Sequence, residues 1–341
     1  MTNTDLTLPE AVVRVRELML SAAYAAALRA AVKLGLPDAI GGEPVAPAAL
    51  AAAVGADAGA LHRLVRALAA FGVFTIDSEG CYRHTELSRL LREDAPHSVK
   101  YNVLWSTEPW TWDVWPRLDD AVRTGGSVFG SLHGTEFFDY LHREAPESAE
   151  VFDRAMTQSS RLSAHAVAEA LDLTSVATVA DIAGGQGLVL ATLLERHPEL
   201  HGVLLDLPGV LAGADARLRE GGSLAGRARL VPGDCRAAIP VRADVYLLKN
   251  ILEWDDESTL RTLRNVIAAA GPGARVVVIE NLVDDSPEMS FTTAMDLLLL
   301  LNVGGRKQTK DELVALVQQA GLRVEAVRAV NSYLHMVECV V

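Results

Sequence analysis

Three aspartates in the second half of the chain stand where apolar runs end. They are Asp181 in "VADIAGGQG", Asp206 in "GVLLDLP" and Asp234 in "LVPGDC". Any one of them could be an ordinary strand-end residue, but three at the ends of successive strands would meet where open α/β sheets bind ligands. Carboxylates there disfavour a pyrophosphate and favour a cationic ligand with a ribose, whose hydroxyls can donate to Asp206. S-adenosylmethionine, with its sulfonium and ammonium groups, fits this description.

The glycines after Asp181 predict a turn that lets the backbone approach a ligand closely. Gly184, Gly185 and Gly187 carry no side chain that would clash with it. A dinucleotide-binding turn needs glycines at offsets 0, 2 and 5, but counting from Gly185 leads to Gly187 and then to Leu190. The spacing therefore argues against NAD.

Alternating strands and helices from about residue 170 must position these aspartates. The alternation predicts an α/β domain with a mainly parallel sheet covered by helices on both faces. The predicted strands are Ala177–Ile182, Gly202–Leu207, Ala228–Pro232, Val245–Lys249, Ala274–Glu280, Val324–Val330 and Tyr333–Val340. The predicted helices include Leu188–His197, Glu257–Ala270 and Lys310–Ala320.

The N-terminal part of the chain has the order helix, turn, helix, hairpin, helix, which is a winged-helix pattern. Its second helix, Ala58 to Phe71, offers only His62, Arg63 and Arg66 as polar contacts. A DNA-binding helix needs more cations to neutralise phosphates. The sequence therefore favours a role in packing or dimerisation over DNA binding.

The segment over residues 96–165 is predicted to be helical and is rich in large rings. Each ring alone is best explained by packing, but a cluster beside a cofactor domain could also wall a pocket for a flat apolar ligand. The rings are Trp105, Trp110, Trp112, Trp115, Phe129, Phe137, Phe138 and Tyr140.

Composition and charge argue against nucleic-acid-binding, metal-binding and membrane-spanning classes of protein. The 31 basic and 44 acidic residues give a net charge of −13, which would repel nucleic acid and anionic lipid. The three cysteines have no CxxC spacing, so neither a disulfide framework nor a metal site is indicated. With no apolar run long enough for a membrane span and no signal-like start, we expect a cytoplasmic protein without nucleic-acid or membrane partners.

Six motifs, taken in order, resemble the small-molecule O-methyltransferases related to plant caffeate and bacterial polyketide methyltransferases. They are "DIAGGQG", "LLDLPGV", "VPGDC", "YLLKNILEWDDES", "VVVIENLV" and "MDLLLLLNVGGRKQT". The resemblance covers nearly the whole chain. It implies a winged-helix dimerisation domain over 1–95, a linking segment over 96–165 that contributes to the acceptor pocket, and a Rossmann-like methyltransferase domain with a seven-stranded sheet over 166–341.

The resemblance also implies roles for individual residues in a homodimer that methylates a small acceptor. The expected contacts of the cofactor S-adenosylmethionine are Asp181, Gly184, Gly185, Gly187, Asp206, Leu207, Asp234, Cys235 and Lys249. The expected contacts of the acceptor are Trp105, Phe152, Met156, Met295 and Asn302.

The chain departs from this family where the family has its catalytic base. Family members usually carry a His in "LHDWDDE", whereas the corresponding stretch of this chain's "ILEWDDE" is "LEWDDE", with one residue fewer and no His. Glu253 either takes the place of the base or corresponds to the Asp that follows it. A family Glu in "GGRERT" is replaced by Lys307, while the other acidic partner is kept as Glu280. The expected catalytic group is therefore Glu253, Glu280 and Lys307.

Several interpretations of this change stay open at the level of sequence. The acceptor is already ionised, or it is a nitrogen or carbon nucleophile, or the cofactor serves a reaction other than methylation. Glu253 is as compatible with a solvent-facing loop beside Trp254 as with catalysis. A ligand-sensing winged-helix regulator is a further alternative, against which the negative charge speaks.

Overall fold

The computed structural model describes residues 6–284, 286 and 289–341. Its chain forms two compact units that divide between Thr111 and Trp112. This division lies within a short helix, α8 (Pro109–Val114), inside the segment that the sequence analysis assigned to residues 96–165. The predicted boundaries at 95 and 165 stay predictions.

The first unit consists of short helices and one two-stranded hairpin. Its elements are α1 (Leu8–Met19), α2 (Ser21–Lys33), α3 (Leu36–Ala39), α4 (Pro47–Ala53), α5 (Ala58–Ala69), β1 (Phe74–Ile76), β2 (Tyr82–His84), α6 (Glu86–Arg89) and α7 (Lys100–Ser106). Helix α5 begins where the Asp57 carboxylate accepts a hydrogen bond from Ala60 N at 2.8 Å, which satisfies a free amide at the helix start. Its apolar face then recurs at Leu61, Val65 and Leu68, all buried in the core of this unit.

Helix α1 differs from the other helices of this unit in that none of its side chains is buried. Leu8 is 79% exposed and Met19 is 69% exposed. Other long apolar side chains of this helix that face outward are Val12, Val13, Val15 and Leu18. An apolar surface of this kind on a folded protein marks an interaction site.

Helices also open the second unit. They are a 3-10 turn at Trp115–Arg117, α9 (Leu118–Thr124), α10 (Phe129–His133), α11 (Phe137–Asp139), a π turn at Tyr140–Glu144, α12 (Pro146–Arg161) and α13 (Ala164–Ala170). Phe129, Phe137 and Tyr140 make edge contacts, with ring centroids 5.2 and 5.4 Å from that of Phe129. This aromatic cluster orders a segment whose helices are too short to be stable alone.

A seven-stranded sheet with helices on both faces completes the second unit. Its strands are β3 (Thr178–Ile182), β4 (His201–Asp206), β5 (Ala228–Pro232), β6 (Val245–Lys249), β7 (Arg275–Glu280), β8 (Arg323–Ala329) and β9 (His335–Val340), in the spatial order β5-β4-β3-β6-β7-β9-β8. The first five run parallel, and β9 pairs antiparallel with both β7 and β8. The helices that follow β3 are α14 (Leu188–Arg196), α15 (Pro208–Ala212), α16 (Asp256–Ala269), α17 (Ser290–Val303) and α18 (Lys310–Ala320).

Alternate side chains of the strands enter two separate cores. In β7, Val277 and Ile279 belong to one buried cluster, whereas Val276 and Val278 belong to the cluster on the opposite face. A strand that is buried on both faces needs an apolar run without polar alternation, which is what "RVVVIE" supplies. The predicted α/β fold, with its seven-stranded, mainly parallel sheet, is thereby confirmed.

Within the described ranges, no single helix is long and apolar enough to cross a membrane. One bent pair of helices, Pro47–Ala53 with Ala58–Ala69, satisfies the same criterion by length and composition.

Candidate active site

Four neighbouring parallel strands place charged side chains along one edge of the sheet. Asp181 lies next to the end of β3, and β4, β6 and β7 end at Asp206, Lys249 and Glu280. The strands that carry them are adjacent in the order β4-β3-β6-β7. Residues far apart in sequence therefore form one row of ionisable groups at the edge where such sheets bind ligands.

Asp206 is fixed against the glycine turn by two main-chain hydrogen bonds. One carboxylate oxygen accepts from Gly185 N and the other from Leu207 N, each at 2.7 Å. Burial raises the pKa of Asp206 to about 6 against the opposing effect of these two bonds. Gly185 has a φ of 63° and open space where a Cβ would stand, so the turn leaves room beside this carboxylate.

The other two glycines of the turn are required by packing. A Cβ at Gly184 would collide with the Asp181 carboxylate, and a Cβ at Gly187 would lie 2.7 Å from a methyl group of Leu204. Gly187 also has a φ of 81° where α14 begins. The three glycines thus have different functions: two let the turn lie on β4, and Gly185 leaves space for a ligand.

Asp181 is a buried carboxyl group next to Lys249. Burial raises its pKa to about 7, while the ammonium of Lys249 acts in the opposite direction. One of its carboxylate oxygens is buried without a hydrogen-bond partner among the described residues. A buried acceptor of this kind calls for a donor or a cation from a ligand.

Asp234 lies beyond the end of β5, which pairs with β4. Its carboxylate forms an ion pair with Arg236 at 3.1 Å. The Arg236 guanidinium lies near the rings of Phe138 and Trp254, 5.9 and 5.7 Å from their centroids. The Cys235 side chain belongs to the apolar core, and burial raises the pKa of its thiol to about 12.

Asp153 is a residue of this site that the sequence analysis missed. It lies on α12, one turn before Thr157, whose hydroxyl donates to Gln186 Oε1 in the glycine turn at 2.9 Å. Residues four apart share a face of a helix, so Asp153 faces the same region. Burial, together with the charge of Asp206, raises the pKa of Asp153 to about 7. The i, i+4 spacing of Asp153 and Thr157 was the available signal.

The three predicted catalytic residues lie together. The Lys307 ammonium donates to Glu253 Oε1 in an ion pair whose side chains are 8% and 17% exposed. One oxygen of Glu280 accepts from the main-chain N–H groups of Ile251 and Leu252 at 3.1 and 3.0 Å. Burial raises the pKa of Glu280, and the charge of Glu253 adds to this effect. Glu253 is therefore part of a shielded ionic cluster and not a solvent-facing loop residue.

Lys249 interacts both with this cluster and with Asp181 at the edge of the sheet. Burial lowers the pKa of its ammonium, and the negative charges of Asp181, Glu280 and Glu253 oppose that effect. Lys249 is thus close enough to interact with carboxylates on both sides. The row of carboxylates and the Glu253–Lys307 pair consequently form one continuous site.

Main-chain contacts fix the Glu253–Lys307 pair in place. Gly305 lies against the carbonyl of Glu253, where any Cβ would collide with it. Lys307 N donates to Asp296 at 2.5 Å, and the Gln308 side chain donates to Leu252 O at 2.9 Å. The loop after β6 and the "GGRKQT" segment are therefore held as one body.

Four of the five predicted acceptor contacts lie in the second unit. The Phe152 ring packs against Phe137 and Phe138, with centroids 5.9 and 6.2 Å away. Met156 is on the same helix, whereas Met295 and Asn302 lie on α17. Trp105 is buried in α7 of the first unit. The Oδ1 atom of Asn302 is buried and has no hydrogen-bond partner in the part of the chain that is described.

These features suit a cofactor with positive charge and a ribose. Asp206 and the open space at Gly185 could receive the ribose, and Asp181 has an acceptor without a donor. The negative charge of Asp206 raises the pKa of Asp153 and that of Asp181, so the three carboxylates lie close together. The residues present therefore fit S-adenosylmethionine.

Family models match both parts of the chain. An O-methyltransferase dimerisation domain matches residues 16–94, and an O-methyltransferase domain matches residues 115–323. Because the second match alone spans more than half of the 341 residues, it assigns the chain to this family.

Named relatives agree with this assignment. The mitomycin biosynthesis 6-O-methyltransferase of Streptomyces lavendulae is 40% identical over 91% of this chain and 89% of its own length. The structure of the mitomycin 7-O-methyltransferase MmcR has a TM-score of 0.88 at 38% identity, with 97% of each chain covered. The O-methyltransferase NcsB1 from neocarzinostatin biosynthesis, solved with S-adenosylmethionine and 2-hydroxy-5-methyl naphthoic acid, has a TM-score of 0.78 at 33% identity, with 93% and 96% covered. The chain thus belongs to the O-methyltransferase family and is an S-adenosylmethionine-dependent methyltransferase with an N-terminal dimerisation domain.

Proposed function

We propose that this enzyme transfers the methyl group of S-adenosylmethionine to a hydroxyl group on a small aromatic acceptor. The observation that carries the proposal is the continuous ionic site, in which carboxylates around the glycine turn lead through Lys249 to the Glu253–Lys307 pair. The rings of Phe137, Phe138 and Phe152 offer apolar contact for a flat acceptor. The hydroxynaphthoic acid bound to NcsB1 supports an aromatic acceptor.

The residues at the glycine turn would hold the cofactor. Asp206 accepts from the ribose hydroxyls, the main chain at Gly185 approaches closely, and Asp181 meets positive charge at the methionine end. Asp234 would contact the adenine, where Arg236 fixes its carboxylate. When bound, the cofactor supplies a methyl carbon activated by its bond to a positively charged sulfur.

The remaining residues orient the acceptor for an in-line displacement. Phe152 and Met156 contact its ring, and the Asn302 side chain supplies a polar contact from α17. Glu253 and Lys307 face the reacting oxygen. Holding the nucleophile and the methyl carbon in line accounts for much of the rate enhancement in such a reaction.

The enzyme would act as a homodimer formed through its first unit. The dimerisation-domain match lies in this unit, and helix α1 exposes apolar side chains such as Leu8 and Met19. A second copy of the same surface is the simplest partner for such a face. Sedimentation of the purified chain tests this, and a monomer at micromolar concentration would refute it.

Binding and turnover test the proposed activity separately. Calorimetry with the wild type should show S-adenosylmethionine binding, which Asp206→Asn weakens by about a hundredfold because a charge-assisted contact is lost. Glu257→Gln, an exposed carboxylate elsewhere on the domain, is the matched control. Incubation with hydroxylated naphthalenes and benzoates should yield S-adenosylhomocysteine and a methyl ether. No binding by the wild type would refute the proposal.

A further inference from the structure

The Glu253–Lys307 ion pair limits which acceptors this site can use. The pair is shielded, and main-chain contacts at Gly305 and Asp296 fix both of its halves. A general base in this position would have to accept a proton from the acceptor hydroxyl. If Glu253 did so, formation of the methyl ether would leave a protonated Glu253 beside the ammonium of Lys307, which then lacks a counter-charge in a shielded site.

Lys307 is, in contrast, well suited to receive an oxygen anion. Its ammonium has three N–H groups, and among the described residues its side chain bonds to Glu253 alone. Two donors therefore remain for an incoming oxygen. Lysine also keeps its charge throughout the reaction, so it can stabilise the anion without any proton transfer.

The neighbouring charges favour the same assignment. Glu280 is buried and accepts hydrogen bonds from the main-chain N–H groups of Ile251 and Leu252, so donors already compensate part of its charge. The Lys249 side chain is close enough to interact with Asp181, Glu253 and Lys307. A second basic side chain therefore lies near the place where an anion would approach Lys307.

We infer that this enzyme methylates aromatic hydroxyls that reach the site already ionised, and that Lys307 holds the resulting oxygen anion. This inference rests on the proposed function and names its class of acceptor: aromatic hydroxyls acidic enough to be ionised at neutral pH. In the step itself, the oxygen anion forms a bond to the methyl carbon. The carbon–sulfur bond breaks, its electron pair stays on sulfur, and no proton moves.

Two probes of similar shape and different acidity test the inference with the full-length enzyme. They are 2-hydroxy-1,4-naphthoquinone, which is ionised at neutral pH, and 2-naphthol, which is not. At pH 7 we expect kcat/KM to be at least about a hundredfold higher for the hydroxyquinone. For 2-naphthol, kcat/KM should rise about tenfold per pH unit from pH 7 to 9, because the ionised fraction rises by that factor.

Two variants separate the role of Lys307 from that of Glu253. Lys307→Met should lower kcat/KM for the hydroxyquinone by about a hundredfold, the usual loss for one stabilising donor. The double variant E253H/K307E, which introduces the His and the Glu that the family usually carries in these two segments, should raise the turnover of 2-naphthol relative to the hydroxyquinone. Each variant is first shown by calorimetry to bind S-adenosylmethionine as the wild type does.

Several results would overturn the inference. They are equal, pH-independent turnover of both probes, full retention of hydroxyquinone turnover by Lys307→Met, or no S-adenosylhomocysteine from either probe. Failure of the wild type to bind S-adenosylmethionine would instead refute the proposed function itself, so the two failures are distinguishable.

Discussion

The hydroxyl of Thr157 donates to Oε1 of Gln186 at 2.9 Å and thereby ties helix α12 to the glycine turn. Because of this bond, the acidic side chain one helical turn earlier, Asp153, faces the carboxylate of Asp206. The helix that packs beside the sheet therefore adds negative charge to the cofactor site. A cofactor that carries positive charge gains from this placement, and its neutral-sulfur product gains less.

Asp153→Asn should weaken the binding of S-adenosylmethionine about tenfold and that of S-adenosylhomocysteine by a smaller factor. The sulfonium charge is present only in the former, and a unit charge a few ångströms away is worth about this much in a partly shielded site. Calorimetry with both ligands measures the ratio. Glu150→Gln, on the same helix but 72% exposed, is the control. Equal weakening of both ligands would contradict the assignment.

Asp181→Asn should make the stability of the cofactor-free enzyme less dependent on pH. The folded-state pKa of Asp181 is about 7, above its ordinary value of 3.8. Between these values the folded protein binds a proton that the unfolded chain has released, so the free energy of unfolding falls as pH rises. Urea unfolding at pH 5 and pH 8 measures the fall in the free energy of unfolding between these pH values. This fall should be about 3 kcal/mol smaller in the variant than in the wild type. Equal losses in both proteins would contradict it.

Gly305→Ala should abolish most turnover while cofactor binding is retained. A Cβ at Gly305 would collide with the carbonyl of Glu253, so the loop that carries Glu253 must move. We expect kcat to fall by about a hundredfold and stability by about 2 kcal/mol. Gly271→Ala, where a Cβ meets nothing within 4 Å, should behave as the wild type. Normal turnover by Gly305→Ala would show that the loop position is unimportant.

The Glu253–Lys307 pair should show coupling in a double-mutant cycle of stability. Glu253→Gln and Lys307→Gln each leave one shielded charge without its partner, whereas the double variant leaves neither. The two single losses should therefore exceed the loss in the double variant by about 1–3 kcal/mol. Thermal or urea unfolding of the four proteins provides the cycle. Additive losses would mean that the pair is not formed in solution.

The sheet was predictable because its central strands are short apolar runs that alternate with helical segments. For β5 and β6 the predicted and observed bounds coincide at Ala228–Pro232 and Val245–Lys249. Asp181, Asp206 and Lys249 follow directly from those runs. Their proximity needs only the rule that parallel strands share a carboxyl edge.

The environment of Glu253 was not predictable in the same way. Its partner Lys307 lies 54 positions further along the chain, and the family resemblance, not a local pattern, placed the two residues in one expected group. Deciding whether Glu253 sits among the ionic groups or in solvent requires that long-range contact. Asp153 was missed for a related reason. The direction in which its helical face points is set by the bond between Thr157 and the distant Gln186, which the sequence around Asp153 does not show.

Helix α1 leaves its long apolar side chains on the surface of a single chain. If these side chains are covered by a second copy, folding and association become one equilibrium that obeys mass action. The melting temperature would then rise with protein concentration. Dilution would dissociate the dimer and expose the apolar face of α1, which favours aggregation. An apolar face at one end of the chain would thereby make the enzyme's working lifetime depend on how much of it a cell contains.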